Sequence, residues 1–165
     1  PDWSKMDAGA VHELSALKNG GRVVAYNDAH YGDVWAVLSD GRGVNMGNGW
    51  ETRRRREPGN DWMIIALGAP GAVEAIEVDT AHFKGNYPDR CSVQAARVVN
   101  ATDAALIEQS INWDTLMEEQ PLSADSIHRF DGDAIAGLDA VSHVRLNIHP
   151  DGGVSRFRVF GKPSL

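Results

Sequence analysis

At 165 residues the chain is long enough for one domain with a real core and short for two. Its apolar share of 42% and charged share of 24% are those of an ordinary globular protein. A formal net charge of −7 argues against a nucleic-acid binder, whose phosphate contacts need a basic surface. No apolar run approaches the length of a membrane span.

The single cysteine, Cys91, can make no internal disulfide and has no cysteine neighbour for a zinc site. No charged-then-apolar leader follows Pro1. A reducing, cytoplasmic setting is therefore the expectation, with neither nucleic acid nor membrane as a partner.

In chain order, Val11, Leu14 and Leu17 recur at helical spacing. With Asp7 able to cap and Gly20–Gly21 able to end the last turn, this predicts a short helix over Ala8–Lys18. Arg22–Tyr26 reads as a strand around Val23 and Val24. From Asn27 to Asp61 the chain is rich in Gly, Asp and Asn and poor in periodicity. A loop of that length in a compact domain is usually functional or hides a short element. Trp50–Glu57 is the candidate, as a strand with Trp50, Thr52 and Arg54 on one face.

Trp62–Leu67 is a continuous apolar run, as in a strand covered on both faces. Gly68–Gly71 then reads as a turn and Val73–Asp79 as a second strand, Ile76 and Val78 alternating with Glu77 and Asp79. Ala81–Asp89 reads as a loop and Cys91–Val99 as a strand. Between Asn100 and Phe130 the pattern is open: Ala104–Gln109 could be helical and Ile127–Phe130 extended. Val144, Leu146 and Ile148 alternate with polar residues, Pro150–Gly153 turns, and Phe157 and Val159 continue one face. That predicts a closing β-hairpin with those apolar residues in the core and Arg145, Arg156 and Arg158 on the exposed face. Many short strands with little helix point to an all-β sandwich rather than a Rossmann-type fold, which needs crossover helices.

Three long stretches carry a resemblance. They are Gly41–Trp62, containing Trp50-Glu-Thr-Arg-Arg-Arg-Arg56; Val78–Pro88, containing Ala81-His-Phe-Lys-Gly-Asn86; and Val144–Gly161. In order and spacing they resemble the allantoicase family, with Gly20–Asn27 adding to the likeness and Asn100–Asp139 contributing least. The resemblance implies an antiparallel jelly-roll β-sandwich of the galactose-binding-like type. It also implies a hydrolase that cleaves allantoate to ureidoglycolate and urea in purine breakdown. Enzymes of this family usually hold two similar domains in one polypeptide. Residues 1–165 are expected to form one of them, spelled more like the second. The expected partners are then a sister domain or further copies of the chain. Where the family usually has Glu, Asp and His, this chain has Ala29, Asn48 and Asn60.

Releasing urea breaks a C–N bond, so the leaving nitrogen needs a proton and the water needs a base or a metal. The carboxylate of the substrate needs a cation, best supplied by the fork of an arginine. Arg53 and Arg54 are the candidates for the carboxylate. Glu51, Asp61 and His82 are the candidate catalytic groups, and Asn86 a further substrate contact. Asp28 and His30, two apart, form a candidate pair for a divalent metal. Each also has a structural reading: a charged run is often a self-paired solvated face, and Asp61 before a strand is a common turn residue. A non-catalytic module that binds a small ligand or carbohydrate is the alternative function, since a fold alone fixes no activity.

Overall fold

The computed structural model describes residues 1–165. In chain order its strands are β1 (His12–Glu13), β2 (Arg22–Tyr26), β3 (Trp50–Glu51), β4 (Asp61–Asp79) and β5 (Arg90–Ala96). A single α-helix, α1 (Asp103–Ser110), precedes β6 (Asp114–Pro121), β7 (Ile127–Asp131), β8 (Val141–His149), β9 (Gly153–Val154) and β10 (Arg156–Pro163). No helix is long and apolar enough to cross a membrane.

The long strand β4 organises everything else. Its first half pairs with β2 and β8, and β8 continues through β5 to β6. Its second half pairs with β10 on one side and β7 on the other, and β10 continues to β1. All these pairings are antiparallel, so one strand passes through both layers of a sandwich. The inward residues of both layers meet in one core that includes Met63, Ile65, Val93, Leu146 and Phe157. The antiparallel sandwich expected from the sequence is thus present.

The switch between layers occurs at Gly68–Gly71, where the register of β4 against β8 shifts. Gly68 is required there: an added Cβ would lie 1.9 Å from the backbone oxygen of Asn19. The expected turn is therefore a bend within one strand, not the end of one. The closing hairpin is corrected for a related reason. β8 and β10 do not pair with each other; each lies on a different half of β4. Pro150–Gly153 carries the chain across the sandwich, and alternation alone cannot tell that crossing from a hairpin.

The expected helix over Ala8–Lys18 is absent. That stretch forms β1, which pairs with β10, and a 3₁₀ turn over Leu17–Asn19. Only Leu14 of the helical triplet is buried; Val11 and Leu17 face solvent. The spacing was real but did not mark one buried face. Trp50–Glu57 also falls short: only Trp50–Glu51 is a strand, and the arginines beyond it follow an irregular path.

The run Trp62–Leu67 is apolar on both sides because both sides are covered. Met63 and Ile65 enter the main core, while Ile64 packs outward against Leu106 of α1 and Trp113. The covering of this outer face also buries Arg145 on β8. Arg156 is buried too, and Arg158 is largely covered at 14% side-chain exposure. The expectation of an exposed arginine face on these strands is therefore overturned.

Candidate active site

Four loops meet at one end of the sandwich: those around Asn27–Asp28, Arg53–Glu57, Gly85–Asp89 and Pro150–Gly152. The irregular run Arg53–Arg56 is the shared wall of two open cavities. The larger, about 970 Å³, also presents His30, Glu51, Asn86, Asp89 and Asp151. The smaller, about 570 Å³, presents Asn27, Asp28, Glu57 and Asp61. Polar side chains dominate both.

The wall is held by its carboxylates. Asp28 accepts from the Arg53 backbone N–H at 2.7 Å and from Arg53 Nη1 at 3.3 Å, while its own carbonyl accepts from Trp50 Nε1 at 2.8 Å. Arg53 Nε also meets His30 Nδ1 at 3.2 Å. Asp151 accepts from the Arg55 backbone N–H at 2.9 Å. Arg55 Nη1 donates to Asp61 Oδ1 at 2.8 Å, and Asn27 Nδ2 donates to the same oxygen at 3.0 Å. This clamping forces the run off a regular strand. Consequently both Arg53 and Arg54 line the larger cavity, instead of pointing to opposite faces as strand neighbours would.

Pairing divides the four arginines. Arg53 and Arg55 have carboxylate partners. Arg54 and Arg56 are exposed and have none. Across the larger cavity Asn86 Nδ2 donates to Glu51 Oε2 at 2.6 Å, fixing that carboxylate and leaving its other oxygen free. The Asn86 carbonyl in turn accepts from Gly153 N–H at 2.8 Å, and Gly152 sits at φ 131° with its Cβ position blocked by Asn86 O at 2.8 Å. The glycines of the Pro-Asp-Gly-Gly run let this loop press against the Asn86 loop.

The structure therefore brings Glu51, Arg53, Arg54 and Asn86 to one cavity, and Asp61 and Asp28 to the adjoining one. His82 lines neither. Its ring meets the Gly43 carbonyl at 2.6 Å and its backbone N–H donates to Asp125. Asp28 and His30 do not fit a metal. Arg53 already bridges the pair, and no three His, Cys, Asp or Glu side chains gather in a metal-holding group. The two asparagines at departures from the family serve structure: Asn48 accepts from Arg156, and Asn60 donates to Asn147 Oδ1. Arg55, Asp151 and Asn27 were missed by sequence reasoning. Asp151 is hidden inside a run that reads as a turn, and nothing in Arg53–Arg56 ranks one arginine above the next.

Comparison with known proteins identifies the family. The allantoicase repeat matches residues 12–164. A probable allantoicase of Burkholderia pseudomallei is 58% identical over 161 residues, 98% of this chain and 48% of that protein. One from Ralstonia nicotianae is 54% identical over 160 residues, 97% of this chain and 47% of that protein. The chain thus spans about half the length of these curated relatives. The crystal structure of allantoicase from Saccharomyces cerevisiae superposes with a TM-score of 0.78 at 37% identity, over 92% of this chain and 43% of that one. With the sandwich, the arginine-walled cavities and the near-complete match to one repeat in place, the chain belongs to the allantoicase family.

Proposed function

We propose that this chain binds allantoate and contributes to its hydrolysis to ureidoglycolate and urea, working in the cytoplasm beside a second repeat or a second copy. One observation carries the reading. The larger cavity is lined both by guanidinium groups without counter-ions, Arg54 and Arg56, and by carboxylate acceptors, Glu51 and Asp151. A ligand with a carboxylate at one end and N–H donors at the other satisfies both, and a diureido acid is such a ligand.

In this reading Arg54 takes the substrate carboxylate beside the pre-aimed Arg53, and Asn86 and Glu51 hold a ureido group. The bond between the central carbon and one ureido nitrogen breaks. That nitrogen gains a proton and leaves as urea, and the hydroxyl of water ends on the carbon. Glu51, which lines the cavity and whose Oε1 accepts no hydrogen bond within the chain, is the group we assign to move that proton. Asp61 holds Arg55 in place, and His82 holds the Gly43 loop.

Urea release from allantoate is the direct test, read alongside calorimetric binding. Arg54→Lys keeps the charge and loses the fork, so binding should weaken roughly tenfold, about 1.4 kcal/mol. Glu51→Gln should retain binding and lose turnover. Binding without urea release, alone or with a second repeat, would favour a non-catalytic ligand-binding module. No binding at all would overturn the assignment of the cavity.

A further inference from the structure

Arg145 lies outside both cavities, on the outer face of β8. It is only 8% exposed. Its Nε donates to Asn147 Oδ1 at 2.9 Å and its Nη1 to Ser110 Oγ at 2.8 Å. Its guanidinium carbon sits 4.7 Å from the centre of the Trp62 ring. Asn147 is itself fixed, by Asn60 Nδ2 at 3.3 Å and by donation to Gln94 Oε1 at 3.1 Å. The polar and aromatic partners of the guanidinium are thus an amide, a hydroxyl and an indole ring.

We infer that Arg145, framed by Asn147, Ser110 and Trp62, is a receptor for a planar carboxylate supplied from outside the chain. A buried charge is costly unless it is paired as well as hydrogen-bonded. Two partly buried arginines of this fold follow that rule: Arg55 has Asp61 and Arg158 has Glu13. Arg156, 3% exposed, makes no ion pair, but all three of its guanidinium nitrogens donate, to Gly41 O, Asn48 O, Ser155 O and Asn48 Oδ1, and Asp79 offsets part of the cost of its burial. Arg145 has its orientation fixed by neutral groups and receives no opposite charge. Burial accordingly pushes its guanidinium below the ordinary arginine value, with no carboxylate raising it. The arrangement also leaves a way in. Nη2 makes no hydrogen bond within the chain, yet it is not among the sealed polar atoms that lack partners, so it reaches solvent. Trp62 and Asn60 beside it are only half-buried. A rotamer locked at Nε and Nη1 with a free outer nitrogen is pre-organised for one more charge-assisted bond.

The carboxylate has two possible sources, a small molecule or an Asp or Glu side chain of another polypeptide, and one titration separates them. Sodium acetate is exchanged for sodium chloride at constant ionic strength, and the indole N–H resonance of Trp62 is followed, assigned through Trp62→Phe. Arg54→Gln/Arg56→Gln serves as the background, so that the cavity arginines do not contribute. The expected result is a saturable acetate shift, weakened roughly tenfold or more in Arg145→Lys, which keeps the charge but loses the two bonds to Asn147 and Ser110 that aim the free nitrogen. Sedimentation under the same conditions names the source. A complex that acetate dissociates identifies a protein carboxylate, and one unchanging species identifies a small molecule. The inference is overturned if acetate and chloride leave the Trp62 resonance in the same place, or if Arg145→Lys titrates as the background protein does. Neither result depends on allantoate, so the proposed activity can fail while this site stands.

Discussion

Arg55 and Asp61 pair at 2.8 Å with side-chain exposures of 19% and 1%, and that burial sets what each is worth. Arg55→Ala would leave a carboxylate in the interior without its cation, a change that costs about 3–5 kcal/mol. Because Arg55 Nε and Asp61 Oδ2 already lack partners, removing both charges should be milder than removing one. Urea denaturation should therefore show a large loss for Arg55→Ala and a substantial recovery in Arg55→Met/Asp61→Leu. Equal losses in the two would show that the pair is not a coupled unit. Histidines give a pH dependence at the same scale. Burial, its largest cause in each, pushes His143 and His149 below the ordinary value of about 6.5. The fold holds both neutral, while the unfolded chain takes up the protons first as pH falls. Their contribution is full above the ordinary value and is lost as pH drops below it. Stability should decline as pH falls below about 6.5, and His143→Gln/His149→Gln should flatten that decline. A steeper decline in the double variant would reverse the assigned sign. Of the residues singled out in the sequence, Glu51, Arg53, Arg54 and Asn86 share a cavity and His82 lies outside it. The pairing among adjacent arginines was not, because it is set by distant carboxylates such as Asp151.

At the scale of elements, legibility followed how much a pattern depends on partners. β2 carries its signal locally and lies where the sequence puts it, while α1 and β7 fall on segments that the sequence leaves open as possible helix and possible strand. β4 was read as two strands because Gly and Pro normally end one; a sandwich that shares a strand between layers uses the same residues to bend it. β6 was missed outright: Asp114–Pro121 buries Leu116 and Met117 side by side and shows no clean alternation. The loop over Asp40–Asn48 was legible only as a long loop. Arg156 holds it by donating to Gly41 O, Asn48 O and Asn48 Oδ1, and Arg158 adds Gly41 O. The Arg156 bonds are partly buried and go to two backbone carbonyls and the Asn48 amide oxygen, so Arg156→Ala strands acceptors and opens a gap. The loss should be about 2–4 kcal/mol, with faster amide exchange across residues 41–48 and little change in β5 or β6. Uniformly faster exchange across the whole chain would mean that the loop has no stability of its own to lose.

The whole molecule raises the question of what closes the cavities. Arg54 and Arg56 stand exposed at the open end, and the curated relatives carry about as much chain again beyond the matched half. An open polar cleft can bind an anion, yet bulk water screens its charges and competes for its donors. Proton transfer and C–N cleavage gain most when the site is covered and its dipoles are fixed. The two steps should therefore separate by assembly state. This chain alone should bind allantoate through Arg54 with an affinity close to that of the two-repeat protein. Its turnover should be lower by at least roughly a hundredfold, about 2.7 kcal/mol of the barrier. Adding the second repeat should raise kcat and leave KM within about threefold, the pattern of a group acting only in the transition state. Arg54→Ala in the two-repeat protein separates the causes: it should raise KM strongly while the response of kcat to the second repeat persists. A chain that turns over at full rate as a monomer would mean that these loops close the site unaided. A KM effect without a kcat effect would mean that the second repeat completes binding rather than chemistry.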